Sequence, residues 1–350
     1  MFALFLPLLV GAWSDGVETR LGKRLPFLAV AGPVAALALV LMPAAPSLAL
    51  VAVALFVFYA AYFTYYPPYR SLFPDLVPGQ LYGRAQSSQA IWRAVGLGLA
   101  LVSGGALLEL WRPLPFLIAA AVLGAVTAVI LVRVREPRSP VGCCLPQGLR
   151  AMLTASWDIW RGSGEVRAFV LANALWEFAL AALKTFVVLF IVVGLGRSVG
   201  FASVLIGLGA AGSLVAATVS GSLGDRFGIA RVMQIALWVY GLGLLIPFFT
   251  QANAVVATIP VIAFGGAVIM TLPYGLLMEL MPDERHGATT GLYGFSRGLG
   301  IVLGPLVAGA AIDLFAPLLD STQGYAALWL VMGGATLASI VPLRRIGRKG

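Results

Sequence analysis

This sequence is poor in charge. Only 11% of its 350 residues are Asp, Glu, Lys or Arg, and 60% are apolar. That leaves too few polar side chains to cover the surface of a water-soluble fold. Cysteine is almost absent. Cys143 and Cys144 are the only two and stand side by side, which excludes a disulfide scaffold and a four-ligand zinc site and predicts free thiols, with lipidation as the alternative. Histidine occurs once, as His286, where a solvated cytosolic loop is expected. No Gly-x-x-x-x-Gly-Lys-Ser/Thr loop, nucleophile elbow or metal-ligand cluster is present. Neither enzymatic activity nor a cofactor or metal is therefore expected.

What is present is hydrophobic length. Runs long enough to cross about 30 Å of hydrocarbon fall at roughly 25–43, 47–66, 88–108, 113–132, 167–194, 199–220, 231–249, 253–277, 289–312 and 324–343. These predict an all-α, polytopic helical bundle in a lipid bilayer. The apolar start, Met1–Val10, is half that length, has no basic leader and reads as a cut helix rather than a signal peptide. In such a chain the net charge of +9 signals topology rather than a nucleic-acid partner.

The connections are short except for one, 133–166, which carries Pro137, Pro140 and Pro146 and an amphipathic stretch around Leu149–Trp160. It predicts an N-terminal half over 1–132, a linker, and a C-terminal half over 167–350. Placing the linker in the cytosol puts nearly every Arg and Lys there, with only Arg112 and Arg197 outside. This satisfies the positive-inside rule and predicts a multi-pass cell-membrane protein with a cytosolic basic tail. The halves also repeat. Asp75 and Glu279, Pro78 and Pro282, Gly83 and Gly287, Arg93 and Arg297, Gly96 and Gly300, Gly105 and Gly309, and Glu109 and Asp313 are each 204 residues apart. One constant offset across charged and helix-breaking residues predicts a duplication with parallel repeats.

Two cytosolic connections carry a common pattern. The second runs Gly221-Ser-Leu-Gly-Asp225-Arg226-Phe-Gly228-Ile-Ala-Arg231, and the first runs Gly11-Ala-Trp-Ser-Asp15, then Arg20-Leu-Gly22-Lys23-Arg24. Here the sequence resembles the major facilitator superfamily, whose cytosolic signature is Gly, three residues, Asp, Arg, one residue, Gly and basic residues. The glycines permit a tight turn, Asp15 and Asp225 can sit against helix N-termini, and the basic residues can pair with Asp75 and Glu279. Such contacts would hold one face shut and release it as the halves rock; the alternative is charge that sets topology alone.

The resemblance implies further points. The longer first copy, with Gly16-Val-Glu-Thr19 inserted and Leu25-Pro26-Phe27 following, is similar to the glycoside-pentoside-hexuronide and sucrose-transporter branch. So is Pro68-Tyr-Arg70-Ser-Leu-Phe-Pro-Asp75-Leu76. The branch implies a sugar-like substrate. In the family's register the first helix and half of the second would precede Met1; a misplaced start codon is the favoured reading and a genuine fragment the other. Gly291, Gly300, Gly304-Pro305 and Ala308-Gly309 resemble the glycine-proline signature of facilitator antiporters, which those exporters carry on the fifth helix. Small residues for close helix packing are the alternative.

Charges inside spans cost about 2.5–3.5 kcal/mol each and so mark candidate functional groups. Arg93 and Arg297 are repeat-equivalent intramembrane charges near the cytosolic ends, with a structural role, pairing with carboxylates or snorkelling, as the alternative. Glu177 and Lys184 lie two turns apart on one face of a single helix, bordering the cavity in the family's register, and are expected to form a coupling pair, with a membrane-interior ion pair that has no transport role as the alternative. Tyr59, Tyr62 and Tyr66 share a helical face, and Trp176 neighbours Glu177; all four are candidates for stacking on a sugar, against interface anchoring or core packing. The expectation is a secondary transporter working by alternating access, with a small-molecule substrate, a proton or cation as coupling ion, and a monomeric state. Export of drugs or metabolites, and a truncated non-transporting scaffold, are the alternatives.

Overall fold

A computed structural model describes residues 2–136, 149–249, 252–282 and 285–346. Cys143, Cys144, the three linker prolines, and Arg348 and Lys349 of the tail lie outside the described residues. Fourteen α-helices follow in order: α1 Phe2–Gly16, α2 Leu25–Leu41, α3 Leu48–Leu76, α4 Tyr82–Leu110, α5 Leu114–Arg133, α6 Leu149–Gly162, α7 Gly164–Leu189, α8 Val199–Phe227, α9 Ile229–Phe249, α10 Ala252–Thr271, α11 Pro273–Leu280, α12 His286–Phe315, α13 Ala327–Ala338 and α14 Ile340–Ile346. No strand occurs among the described residues. Among the described residues nine segments are long and apolar enough to span a membrane, or ten when α4, bent by 42°, counts as one.

Local chemistry explains several helix starts. Ser47, Ser163 and Ser198 each accept a hydrogen bond from the backbone N–H three residues on, at the heads of α3, α7 and α8. Proline occurs inside α2, at Pro33, and inside α3, at Pro67, Pro68 and Pro74, as neighbouring helices in lipid allow. The end of α7 loosens into a π-helical turn, Phe190–Gly194. Large apolar side chains such as Leu48, Trp92 and Leu110 stand exposed on helix surfaces, the arrangement that lipid as a solvent requires.

The helices gather into two compact units. The first comprises Met1–Val77, Trp92–Gly162 and Met281–Phe295; the second comprises Pro78–Ile91, Ser163–Leu280 and Ser296–Gly350. Chain order is thus broken at two places, where the starts of α4 and α12 each join the unit built mainly from the other half of the chain. In the first unit α2 packs on α3 and α5, and α1 on α3. Its core holds Val10, Leu25, Phe27, Leu28 and Leu72. In the second unit α10 packs on α8 and α9, while α13 lies against α7 and α9.

Candidate functional site

In the first unit, Asp15 closes α1 and its carboxylate faces the start of α12. Oδ1 accepts from Gly287 N at 2.8 Å and Oδ2 from Ala288 N at 2.7 Å. These N–H groups have no partner inside their own helix, and a carboxylate there also meets the positive end of the helix dipole. Arg24, immediately before α2, reinforces the contact. Its Nη2 lies 2.7 Å from Asp15 Oδ1 and its Nε 3.1 Å from Asp75 Oδ2, with the guanidinium only 3% exposed. Burial disfavours its charge, but Asp15 and Asp75 outweigh that effect and hold the guanidinium above its ordinary value. Arg24 also donates to Ser14 Oγ at 2.6 Å. Lys23 pairs loosely with Glu18 at 3.6 Å, and Arg20 is exposed.

The second unit repeats the arrangement with the halves exchanged. Asp225 near the end of α8 accepts from Gly83 N at 2.7 Å and Arg84 N at 3.2 Å, at the start of α4. Gly83 and Arg84 lie 204 residues before Gly287 and Ala288. Glycine permits both approaches. A Cβ on Gly11 would meet the carbonyl of Gly287 in the first unit, and one on Gly221 would meet that of Gly83 in the second. Around Asp225, however, the charge network is sparse. The nearest guanidinium, Arg84, is 3.5 Å away and 65% exposed, while Arg226 lies over Phe227 and Arg231 is exposed. Among the described residues no basic side chain pairs with Glu279, contrary to the symmetric expectation. The cause is positional: α9 is preceded by Gly228, at φ +85°, where α2 is preceded by Arg24.

Two residues that the sequence left aside belong to the first cluster. His286 is no solvated loop residue but the first residue of α12, with Nδ1 2.6 Å from Asp75 Oδ1. Glu136, at the start of the linker, accepts from the backbone N–H groups of Lys23, Arg24 and Leu25 at 2.6, 3.0 and 2.8 Å. It caps α2 from more than one hundred residues away, and no local pattern signals this. Gly22, at φ +111°, allows the close approach.

Within the second unit the carboxylate of Glu177 pairs with Arg297. Its Oε1 accepts from Arg297 Nε at 2.7 Å, and Asn173 donates to Ser296 at 2.7 Å beside it. Seven residues along one helix separate the backbones of Glu177 and Lys184 by about 10.5 Å. In contrast, Gly300 and Gly304 admit α12 closely against Ala174 and Phe178 of α7 and bring Arg297 within reach. Lys184 is exposed. Arg93, the repeat partner of Arg297, is exposed in the first unit and makes no ion pair among the described residues. Trp176 is buried, and its Nε1 donates to Ser339 Oγ at 2.7 Å. Its ring therefore packs in a core and does not face a solute. Along α3, Tyr62 stacks on Tyr66 at 5.7 Å and Tyr59 on Phe63 at 6.3 Å, and the buried Arg70 guanidinium sits 5.9 Å from the Tyr66 ring.

The Major Facilitator Superfamily family model matches residues 169–349. Two proteins of Bacillus subtilis (strain 168) are similar in sequence. An uncharacterized MFS-type transporter, YfiU, is 29% identical over 103 residues, which is 29% of this chain and 20% of that protein. Multidrug resistance protein 3 is 27% identical over 94 residues, 27% of this chain and 18% of that protein. The chain thus matches about a fifth of the length of these relatives. Among solved structures, the E. coli fucose:proton symporter FucP superposes with a TM-score of 0.78 at 13% identity, over 99% of this chain and 88% of that one.

Proposed function

This chain belongs to the major facilitator superfamily, and from that premise we propose that it carries a small solute across the cell membrane by alternating access. Asp15 and Asp225 act as latches on the cytosolic side. One observation carries the reading: each carboxylate grips two N–H groups in the first turn of a helix from the other half of the chain, at positions related by the repeat. A bond of this kind is strong when the helix start is in place and is lost outright when it moves away, as a gate requires. The Glu177–Arg297 pair supplies the coupling site. Ionisable residues inside spans mark ion pathways and proton relays, so a proton is the coupling ion. The ladder from Tyr59 to Tyr66 supports a sugar-like solute, since aromatic faces stack on sugar rings, and the fold likeness to a fucose:proton symporter is compatible with it. The chain works as a monomer, with its linker and basic tail in the cytosol.

Proteoliposomes test the reading. Labelled sugars should accumulate under an imposed proton gradient, and Asp15→Ala with Asp225→Ala should abolish this while the protein remains inserted. Equal transport by wild type and the double variant would remove the latch role.

A second reading, export of drugs, is favoured by the sequence likeness to a multidrug resistance protein. The glycine run on α12 adds little to it, because Gly300 and Gly304 are occupied in packing against α7. Dye extrusion from energised inverted vesicles, with no sugar accumulation, would select export.

A further inference from the structure

The latch reading leaves one member of the first cluster without a role. His286 is the only histidine of the chain, and its side chain is 20% exposed. The charged and titratable groups that face it come from three other elements. Asp75 on α3 is in contact, Arg24 ahead of α2 holds the other oxygen of Asp75, and Asp15 at the end of α1 holds Arg24. On its own side the exposed Arg285 precedes it, with Asp283 and Glu284 outside the described residues. Two carboxylates thus face one guanidinium, and a positively charged imidazole would balance them. Imidazole is also the side chain whose charge changes between about pH 5 and pH 8. The start of α12 opposes a positive charge there, but Asp15 sits on two of the N–H groups that carry that effect and its negative charge offsets it. In the second cluster the position 204 residues earlier is Tyr82, a phenol that stays neutral over the same range.

We infer that His286 makes the first latch sensitive to cytosolic pH: protonation tightens its bond to Asp75, so acidification of the cytosol holds that face closed, and the second latch lacks the response. This rests on reading the Asp15 cluster as a latch. The sign follows from the contact itself, since a hydrogen bond between two ionised partners is shorter and stronger than one with a neutral donor.

The test reads closure directly rather than transport. Ser71 Oγ and Thr290 Oγ1 lie 3.1 Å apart on α3 and α12. Ser71→Cys with Thr290→Cys, in a full-length chain whose Cys143 and Cys144 are replaced by Ser, reports that contact as a disulfide formed in inside-out vesicles with copper–phenanthroline and oxygen as the oxidant. Thiolate rises with pH in every variant alike, so yields are read relative to His286→Gln at the same pH. On that scale the yield with His286 present should be about threefold higher near pH 6 and close to equal near pH 8, and His286→Arg, whose charge is fixed, should be raised at both. The same pH response in His286→Gln as in the parent overturns the inference. Adding Asp15→Ala separates the two claims. Loss of the cross-link at every pH supports the latch, whereas unchanged cross-linking removes the latch and this inference with it.

Discussion

Arg297 reaches from α12 to Glu177 on α7, Nε to Oε1 at 2.7 Å, and the two charges cancel where α12 lies against α7 through Gly300 and Gly304. Removing one partner leaves a charge in a poorly solvated place, whereas removing both does not. The side chains are 15% and 30% exposed. Glu177→Gln or Arg297→Ala alone should therefore cost about 1–3 kcal/mol, less than the roughly 3–5 kcal/mol of a fully buried pair. The double variant should cost less than the sum. In transport, Glu177→Gln should lose accumulation against a gradient and keep exchange between the two sides. Thermal unfolding in detergent and counterflow in liposomes measure the two effects. Additive stability losses would show that the pair does not interact in the folded state.

The two latches should differ in strength. Asp15 is tied to Arg24, which is almost wholly buried and also holds Asp75, whereas among the described residues the ion-pair partner of Asp225 is an exposed arginine at 3.5 Å. Surface pairs of that kind contribute about 0–1 kcal/mol. Arg24→Ala strands two carboxylates beside each other and should open the cytosolic face more than Arg84→Ala, which should be nearly silent. Reactivity of cysteines introduced along α12 toward a membrane-permeant thiol reagent reads this out. Equal effects of the two changes would refute the asymmetry.

Close backbone approach predicts a further sensitivity. Gly11→Ala and Gly221→Ala would each drive a methyl group into the carbonyl facing it, from Gly287 and Gly83 respectively. Backbone cannot move aside as a flexible side chain can, so both variants should insert into the membrane yet close poorly. Transport should fall by about tenfold, equivalent to about 1.4 kcal/mol against the closed state. Gly98→Ala, with no atom near its added carbon, serves as the control and should transport as wild type does.

These features were legible in the sequence to unequal degrees. Hydrophobic run length marks spans directly, because lipid admits only helices with satisfied backbone groups, so α2, α3, α5 and α7 through α9 fall where the runs are. The repeat offset identified Gly83 and Gly287 as equivalents, though not that Asp15 and Asp225 would bind beside them. Pairing was the least legible. Glu177 and Lys184 share a helical face, but periodicity says nothing of what a neighbouring helix brings, and small residues on α12 brought Arg297 closer. Trp176 reads like a cavity aromatic until Ser339 appears beneath its N–H. His286 and Glu136 act through partners 211 and 112 residues away, where no local spacing can reveal them.

Glu136 supports the last prediction. Its carboxylate accepts from three consecutive backbone N–H groups, those of Lys23, Arg24 and Leu25, so it does the work of an N-cap for α2 although it lies at the mouth of the linker. A capping side chain contributes about 0.5–2 kcal/mol, and a charged acceptor at a helix N-terminus stands at the upper end of that range. Glu136→Ala should therefore destabilise the protein by about 1–2 kcal/mol, and Glu136→Gln by about half as much, since the amide keeps an acceptor oxygen but places an N–H against other donors. One of the three N–H groups belongs to Arg24, so a slack cap also loosens the guanidinium that bridges Asp15 and Asp75. Both changes should raise cytosolic accessibility in the same order as they lower stability. Gly22→Ala should mimic them, because φ +111° is strained for any side chain and its Cβ would fall 2.6 Å from the Glu136 carboxyl carbon. Thermal unfolding and cysteine accessibility, measured on the same three variants, decide the matter. If stability falls while accessibility stays at the wild-type level, Glu136 caps a helix and nothing more, and the first latch holds Arg24 without the linker's help.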